Sequence, residues 1–246
     1  MRLVSLAALV LLAAAAGADD MLEDRGIFQP TFFAELQDVD VDADRAYVWG
    51  VGGLAIIQIL DPDDPVMIGR YEPPGHPYVR FYRGAVANGY GYGGAREDLL
   101  MVIDLSPIGS PIRTAVVGEP GMSYEGCAVA DGHLFACRHA DGLQILSLAD
   151  PAAPVEVAAF TGLSNAWDVV VQGGVAYVAD GAGGLSIVVV SDPTSPALLA
   201  NAPTEGAAAD VALSGDVAVV AAGSAGLVRF DVSDPATPVP LARDET

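Results

Sequence analysis

The chain has 246 residues, 52% of them hydrophobic, with 28 Gly and 17 Pro. That is a globular composition, long enough for one domain with a sizeable core. Gly and Pro recur at intervals rather than in runs, which excludes a disordered low-complexity protein. A formal charge of −21, from 32 acidic residues against 11 arginines and no lysine, excludes nucleic acid and anionic lipid headgroups as partners and leaves divalent cations, basic partners or plain solvation.

In chain order, residues 1–18 read MRLVSLAALVLLAAAAGA. Arg2 is followed by an apolar run from Leu3 to Ala16, and Ala16-Gly17-Ala18 has the small-x-small pattern of a cleavage site. The run is short for a membrane span and Asp19-Asp20 follow at once, so the pattern predicts a secretory signal cleaved after Ala18; the alternative is an uncleaved anchor. No later segment is apolar enough to span a bilayer. The expected location is therefore secreted, periplasmic or cell surface. Residues 19–36 form an N-terminal segment in which GIFQPTFFAEL (26–36) resembles an outer strand.

From residue 37 to 246 one phrase recurs: GLAIIQILDPDDP (53–65), DLLMVIDLSPIGSP (98–111), GLQILSLADPAAP (142–154), GLSIVVVSDPTSP (184–196) and GLVRFDVSDPATP (226–238). Its first prolines, Pro62, Pro107, Pro151, Pro193 and Pro235, are spaced by 45, 44, 42 and 42 residues. Upstream of each lies an alternating run, a Gly/Asn/Asp turn and a second β-rich run, such as WDVVVQGGVAYVA (167–179), the pattern of a hairpin. Downstream come short β-rich runs, ending with PVPLARD in the fifth unit. Five units of four strands, repeating every 42–45 residues, predict an all-β fold, a β-propeller of four-stranded blades. A sheet of four short strands cannot bury both faces alone, and stacking against neighbouring blades covers them. Either the ring closes at five with strand 26–36 redundant, or the five units are part of a larger ring that continues past Thr246.

These motifs, GL-x-I-x-x-V-S-D-P-x-x-P with D-V-x-V and A-Y-V-A upstream, resemble the LVIVD repeat of secreted and cell-surface proteins. The resemblance covers about residues 37–240, closest in the fourth and fifth copies and faintest in the second. It implies a β-propeller and brings no catalytic residues.

Asp61, Asp150, Asp192 and Asp234 precede the prolines in four copies, where Asp bonds the backbone two residues on and Pro pre-sets φ; they are read as structural. A second column falls at the start of the inner strands: Asp38, Arg83, Gly126, Asp168 and Asp210, preceded by Gln37, Tyr82, Glu125, Trp167 and Ala209. In a radial array such a column forms a ring near one channel mouth. Asp38, Tyr82, Arg83, Glu125, Trp167, Asp168 and Asp210 are thus the binding candidates, for a cation, a sugar or a basic side chain. Asp38, Asp168 and Asp210 could hold calcium; the alternative is that each Asp caps backbone amides of a neighbour. No other cofactor is expected.

No G-x-S-x-G, H-E-x-x-H or paired C-x-x-C motif occurs, and His76, His133 and His139 have no triad context. Cys127 and Cys137 share a hairpin: a three-residue turn places them opposite for a disulfide, a two-residue turn sends them to opposite faces. The second unit departs most from its siblings, concentrating Tyr78, Tyr82, Tyr90 and Tyr92 with Arg80, Arg83 and Arg96, an interface-like mixture. The expected function is a non-catalytic binding or interaction scaffold for a protein or extracellular glycan. A channel-mouth hydrolase of an extracellular saccharide and a calcium-stabilised structural module are the alternatives.

Overall fold

The computed structural model describes residues 35–61, 63–75, 78–95, 99–119 and 121–241. The signal sequence, and the candidate strand 26–36 apart from its last two residues, lie outside them. The fold is an all-β propeller of five four-stranded antiparallel blades, each sheet ordered as the chain runs. The blades fall into two compact units divided after Met122.

The first unit holds two blades: β1 (Leu36–Asp42), β2 (Arg45–Gly50), β3 (Gly53–Gln58) and β4 (Val66–Tyr71), then β5 (Phe81–Ala87), β6 (Tyr90–Ala95), β7 (Leu99–Asp104) and β8 (Ile112–Val117). The second holds three: β9 (Cys127–Ala130) to β12 (Val155–Phe160), β13 (Asp168–Gln172) to β16 (Ala197–Ala202), and β17 (Asp210–Ser214) to β20 (Val239–Pro240). Within these lie β10 (His133–Cys137), β11 (Leu143–Ser147), β14 (Val175–Ala179), β15 (Leu185–Val189), β18 (Val217–Ala221) and β19 (Leu227–Asp231). In the fifth outer strand, β20 pairs Val239 and Pro240 with β19 and the Leu241 amide donates to the Arg229 carbonyl; the last three residues of PVPLARD lie outside the described residues.

Alternation explains the packing. In blade four, Tyr177, Ala179, Leu185 and Ile187 join the core shared with blade five, including Val211, Val220 and Phe230. The intervening Ala176, Val178 and Val188 join the core shared with blade three, including Phe135, Leu143 and Ile145. Successive side chains of a strand point to opposite faces, so a run such as IVVV is apolar throughout because both faces are buried. Outer strands, with one flank solvated, leave Val66, Ile112, Val155 and Leu198 exposed.

The proline phrase is a turn. The amides of Asp63, Ala152, Thr194 and Ala236 donate to Oδ1 of Asp61, Asp150, Asp192 and Asp234 at 3.0–3.1 Å. Each donor lies two positions after its acceptor, the Asx-turn geometry the sequence predicts. In blade three the hairpin turn is the two-residue one. His133 faces Ala130 and Ala136 faces Cys127, so Cys137 points to the other face. Both cysteines are buried thiols and no disulfide joins them.

Blade two owes its composition to its neighbour. Trp49 of β2 is fully buried and stands where the siblings have Gly94, Cys137, Ala179 and Ala221. Its ring lies on blade two: a Cβ at Gly84 would sit 2.0 Å from Cε2, one at Gly93 2.8 Å from Cζ3, and one at Gly91 3.0 Å from Cη2. Phe81 meets the same indole edge-on, ring centroids 5.5 Å apart. The glycines that make YRGAVANGYGYGG look unlike its siblings are the socket for one tryptophan. Among its tyrosines Tyr92 is fully buried while Tyr78 is 86% exposed, and Tyr82 lies beneath Arg80, whose Cζ is 5.8 Å from the ring centre.

Candidate functional site

The column found in the sequence is real in register. Asp168 and Asp210 open the pairing with their second strand, opposite Ala179 and Ala221, and Asp38 and Arg83 hold the same place just after a register shift, opposite Trp49 and Gly94. The Cys137 amide donates to the Gly126 carbonyl, which places Gly126 in the same row. Asp38 and Arg83 belong to the first unit; Gly126, Asp168 and Asp210 belong to the second.

An inner strand is the edge of its sheet, and its outward amides need acceptors. The carboxylates of the preceding blade supply them. In the first unit the Gly84 amide donates to Asp38 Oδ2 (3.0 Å) and the Val86 amide to Asp40 Oδ2 (2.6 Å). These are alternate residues of β5, so two aspartates of β1 line its free edge. In the second unit the Val211 amide donates to the buried Asp168 Oδ2 (3.2 Å). Burial pushes the Asp40 carboxyl up to about 6, outweighing the two amides that bond it, with smaller upward contributions from Asp38 and Asp42. Among the described residues no group of three or more His, Cys, Asp or Glu is placed to hold a metal ion.

The joint between blades three and four is built differently. Gly126 replaces the carboxylate because there is no room for one: a Cβ there would sit 2.6 Å from Asp168 Oδ1 and from the Trp167 carbonyl. Beside it, an imidazole N–H of His139 donates to Glu125 Oε1 (2.6 Å), and Glu125 is 3% exposed. The other ring nitrogen meets the Asn165 carboxamide at 3.1 Å, whose O and N assignment follows the tautomer. The Trp167 ring stands edge-on to the imidazole, centroids 4.6 Å apart. Buried Asp180 fixes the Asn165 loop by accepting its amide (2.7 Å) and the Ser186 hydroxyl (2.9 Å). Two predicted residues, Glu125 and Trp167, therefore both contact His139, a residue that, like Asn165 and Asp180, was not among the candidates.

A signal for His139 lies in the repeat. It bridges the Ala166 backbone as Gly181 bridges Ala208, and its φ of 51° matches 54° at Gly181 and 53° at Gly223. Two siblings have glycine where this blade has histidine in a left-handed conformation, which costs a non-glycine residue about 1 kcal/mol.

Stacked four-stranded blades, joined by side chains of one blade on the edge amides of the next, define a repeat protein of the β-propeller class. The family model for the LVIVD repeat matches residues 35–72, 164–204 and 205–243, which are blades one, four and five. The chain is an LVIVD-repeat protein. The unmatched blades, two and three, are the ones that carry the Trp49 socket and the His139 cluster. No curated protein matches the chain.

Solved structures bear out the fold. The chain is similar to a functionally unknown protein from Desulfotomaculum acetoxidans (TM-score 0.70, 13% identity, 84% of this chain and 69% of that one). It is similar to the β-propeller domain of Myceliophteria thermophila Cps50 (Swd1) (TM-score 0.68, 10% identity, 84% and 72%). It also resembles the computationally designed protein Ika8 (TM-score 0.62, 10% identity), with 84% of this chain covered and only 60% of that one. At such identities the likeness is one of fold. Among the described residues no helix is long and apolar enough to cross a membrane.

Proposed function

We propose that the chain is a secreted or cell-surface binding scaffold that holds its partner without chemical turnover. The propeller fold and its repeats support a binding role. The observation that carries the non-catalytic reading is the engagement of the column acids: Asp38 and Asp168 accept amides of the next blade, and Glu125 is tied to His139. A glycosidase needs one carboxyl to protonate a leaving group and another to meet water or the sugar; here Asp38 and Asp168 hold blades together and Glu125 is engaged by His139 of its own blade. The partner-facing surface of this reading is the partly buried rim of His139, Asn165 and Trp167.

The test is a glycan array read beside a reducing-end assay on the same purified chain. Retention of one glycan class with no released ends, lost on Trp167→Ala while the melting temperature holds, supports the reading. Sugar release that disappears on Asp168→Asn or Glu125→Gln overturns it in favour of a hydrolase.

A further inference from the structure

A chain with 32 acidic residues and 11 arginines normally leaves few guanidinium groups without a carboxylate. The first unit contains an exception. Between the end of β4 and the start of β8 lies a groove of about 480 Å³ lined by Arg70, Tyr71, Glu72, Pro74, Ser110, Pro111, Ile112 and Arg113. Glu72 is taken by Arg70 at 3.2 Å. Among the described residues Arg113, exposed on β8, forms no ion pair. Tyr71, 4% exposed, has a buried hydroxyl with no hydrogen-bond partner. Burial raises its proton affinity and the nearby Arg113 charge opposes that rise, so the two groups share one electrostatic neighbourhood. A buried polar atom without a partner is costly and rare.

We propose that this groove binds the carboxylate of a small organic anion. The planar guanidinium of Arg113 matches a carboxylate with two parallel N–H donors. Pro74, Pro111 and Ile112 give the body of the ligand an apolar wall, and the volume falls within the range of small-molecule sites. The overall negative field acts against the anion at long range, but salt at physiological strength screens it beyond about 8 Å, inside which the arginines dominate. Affinity is therefore modest. The site lies in a different unit from the His139 cluster and does not rest on the function proposed above.

The shared chemistry, a carboxylate on a compact body, is found in acidic sugars and in open-chain acids, so both are probes. Thermal melts of the full chain in about 0.15 M salt, the strength at which long-range fields are screened, are run with galacturonate, succinate, galactose and sulfate. We expect a saturable rise of about 3–5 °C at ten times Kd with galacturonate, succinate or both, and none with galactose. Arg113→Gln, at an exposed position, leaves the ligand-free melt within about 2 °C and abolishes the rise. Tyr71→Phe, which removes the orphan hydroxyl and keeps the ring, melts at or above the parent and responds less. A rise with galacturonate alone assigns the acidic sugar, and with succinate alone the open-chain acid. No rise, an equal rise with galactose or sulfate, or a rise that survives Arg113→Gln overturns the proposal.

Discussion

Replacing Gly84 by valine, the residue that Val39, Val169 and Val211 place at the same step of their blades, should damage this blade and no other. The new Cβ would fall 2.0 Å from Trp49 Cε2 and 2.4 Å from Cδ2 and Nε1. An indole buried to 0% exposure, with Phe81 on its flank, has nowhere to retreat, so the cost is expected near the upper end of the overpacking range, about 3 kcal/mol. Trp49→Ala leaves a large void and costs about 3–5 kcal/mol. The double variant recreates the Ala179/Val211 pair that packs the joint between blades four and five. Its cost should fall at least about 2 kcal/mol short of the sum of the singles, a coupling typical of residues in contact. Urea unfolding of the four proteins, with midpoints compared at constant slope, measures it. Additive costs, or a Gly84→Val protein within about 0.5 kcal/mol of the parent, the ordinary range of an unconstrained surface site, would refute the socket.

Other consequences are as direct. His139→Gly restores the sibling residue and relieves about 1 kcal/mol of backbone strain, but strips the buried Glu125 of a charge-assisted bond worth about 1.5–3 kcal/mol; a net loss of about 1–2 kcal/mol is expected by chemical denaturation, and a stabilised protein would contradict the pairing. Asp168→Ala should cost about 2 kcal/mol through the orphaned Val211 amide, Asp168→Asn, which keeps one acceptor oxygen, clearly less, and added calcium should leave every melting temperature where it was. Because Asp40 has its carboxyl raised to about 6 from 3.8, the folded chain binds the proton more tightly than the unfolded one. That contribution is greatest below pH 4 and fades as pH rises through 6, by at most about 3 kcal/mol, and Asp40→Asn should flatten it. A thiol assay on unfolded, unreduced protein should count both Cys127 and Cys137.

The blade was legible because each level of the sequence agreed with the others: alternation in IVVV, Asp-Pro turns, and a steady 42–45-residue period. The column was legible too, since hairpin register carries Asp38, Asp168 and Asp210 to equivalent places once the turns are aligned. Their use was not. Whether a carboxylate faces solvent or the Gly84 amide depends on the 46-residue separation being closed by blade stacking, which no local pattern encodes. The second unit stood out only as the one departing most from its siblings, because the cause of its glycines, Trp49, lies over thirty residues upstream. His139 was passed over for lacking triad partners, although its alignment with Gly181 and Gly223 already marked it as a residue in a glycine's place.

The bonds at the joints between blades one and two, and between four and five, have a direction: the earlier blade gives the acceptor and the later one gives the amide. A repeat of this kind carries a plug at its column aspartate and a receptacle at the following amide, 43 or 46 residues apart along the chain. Tandem duplication of one unit therefore brings both halves of its fitting with it, and a copied blade can seat itself without any new residue being selected. Blade three has Gly126 in place of that plug, and its joint with blade four is closed instead by the bridge between His139 and Ala166.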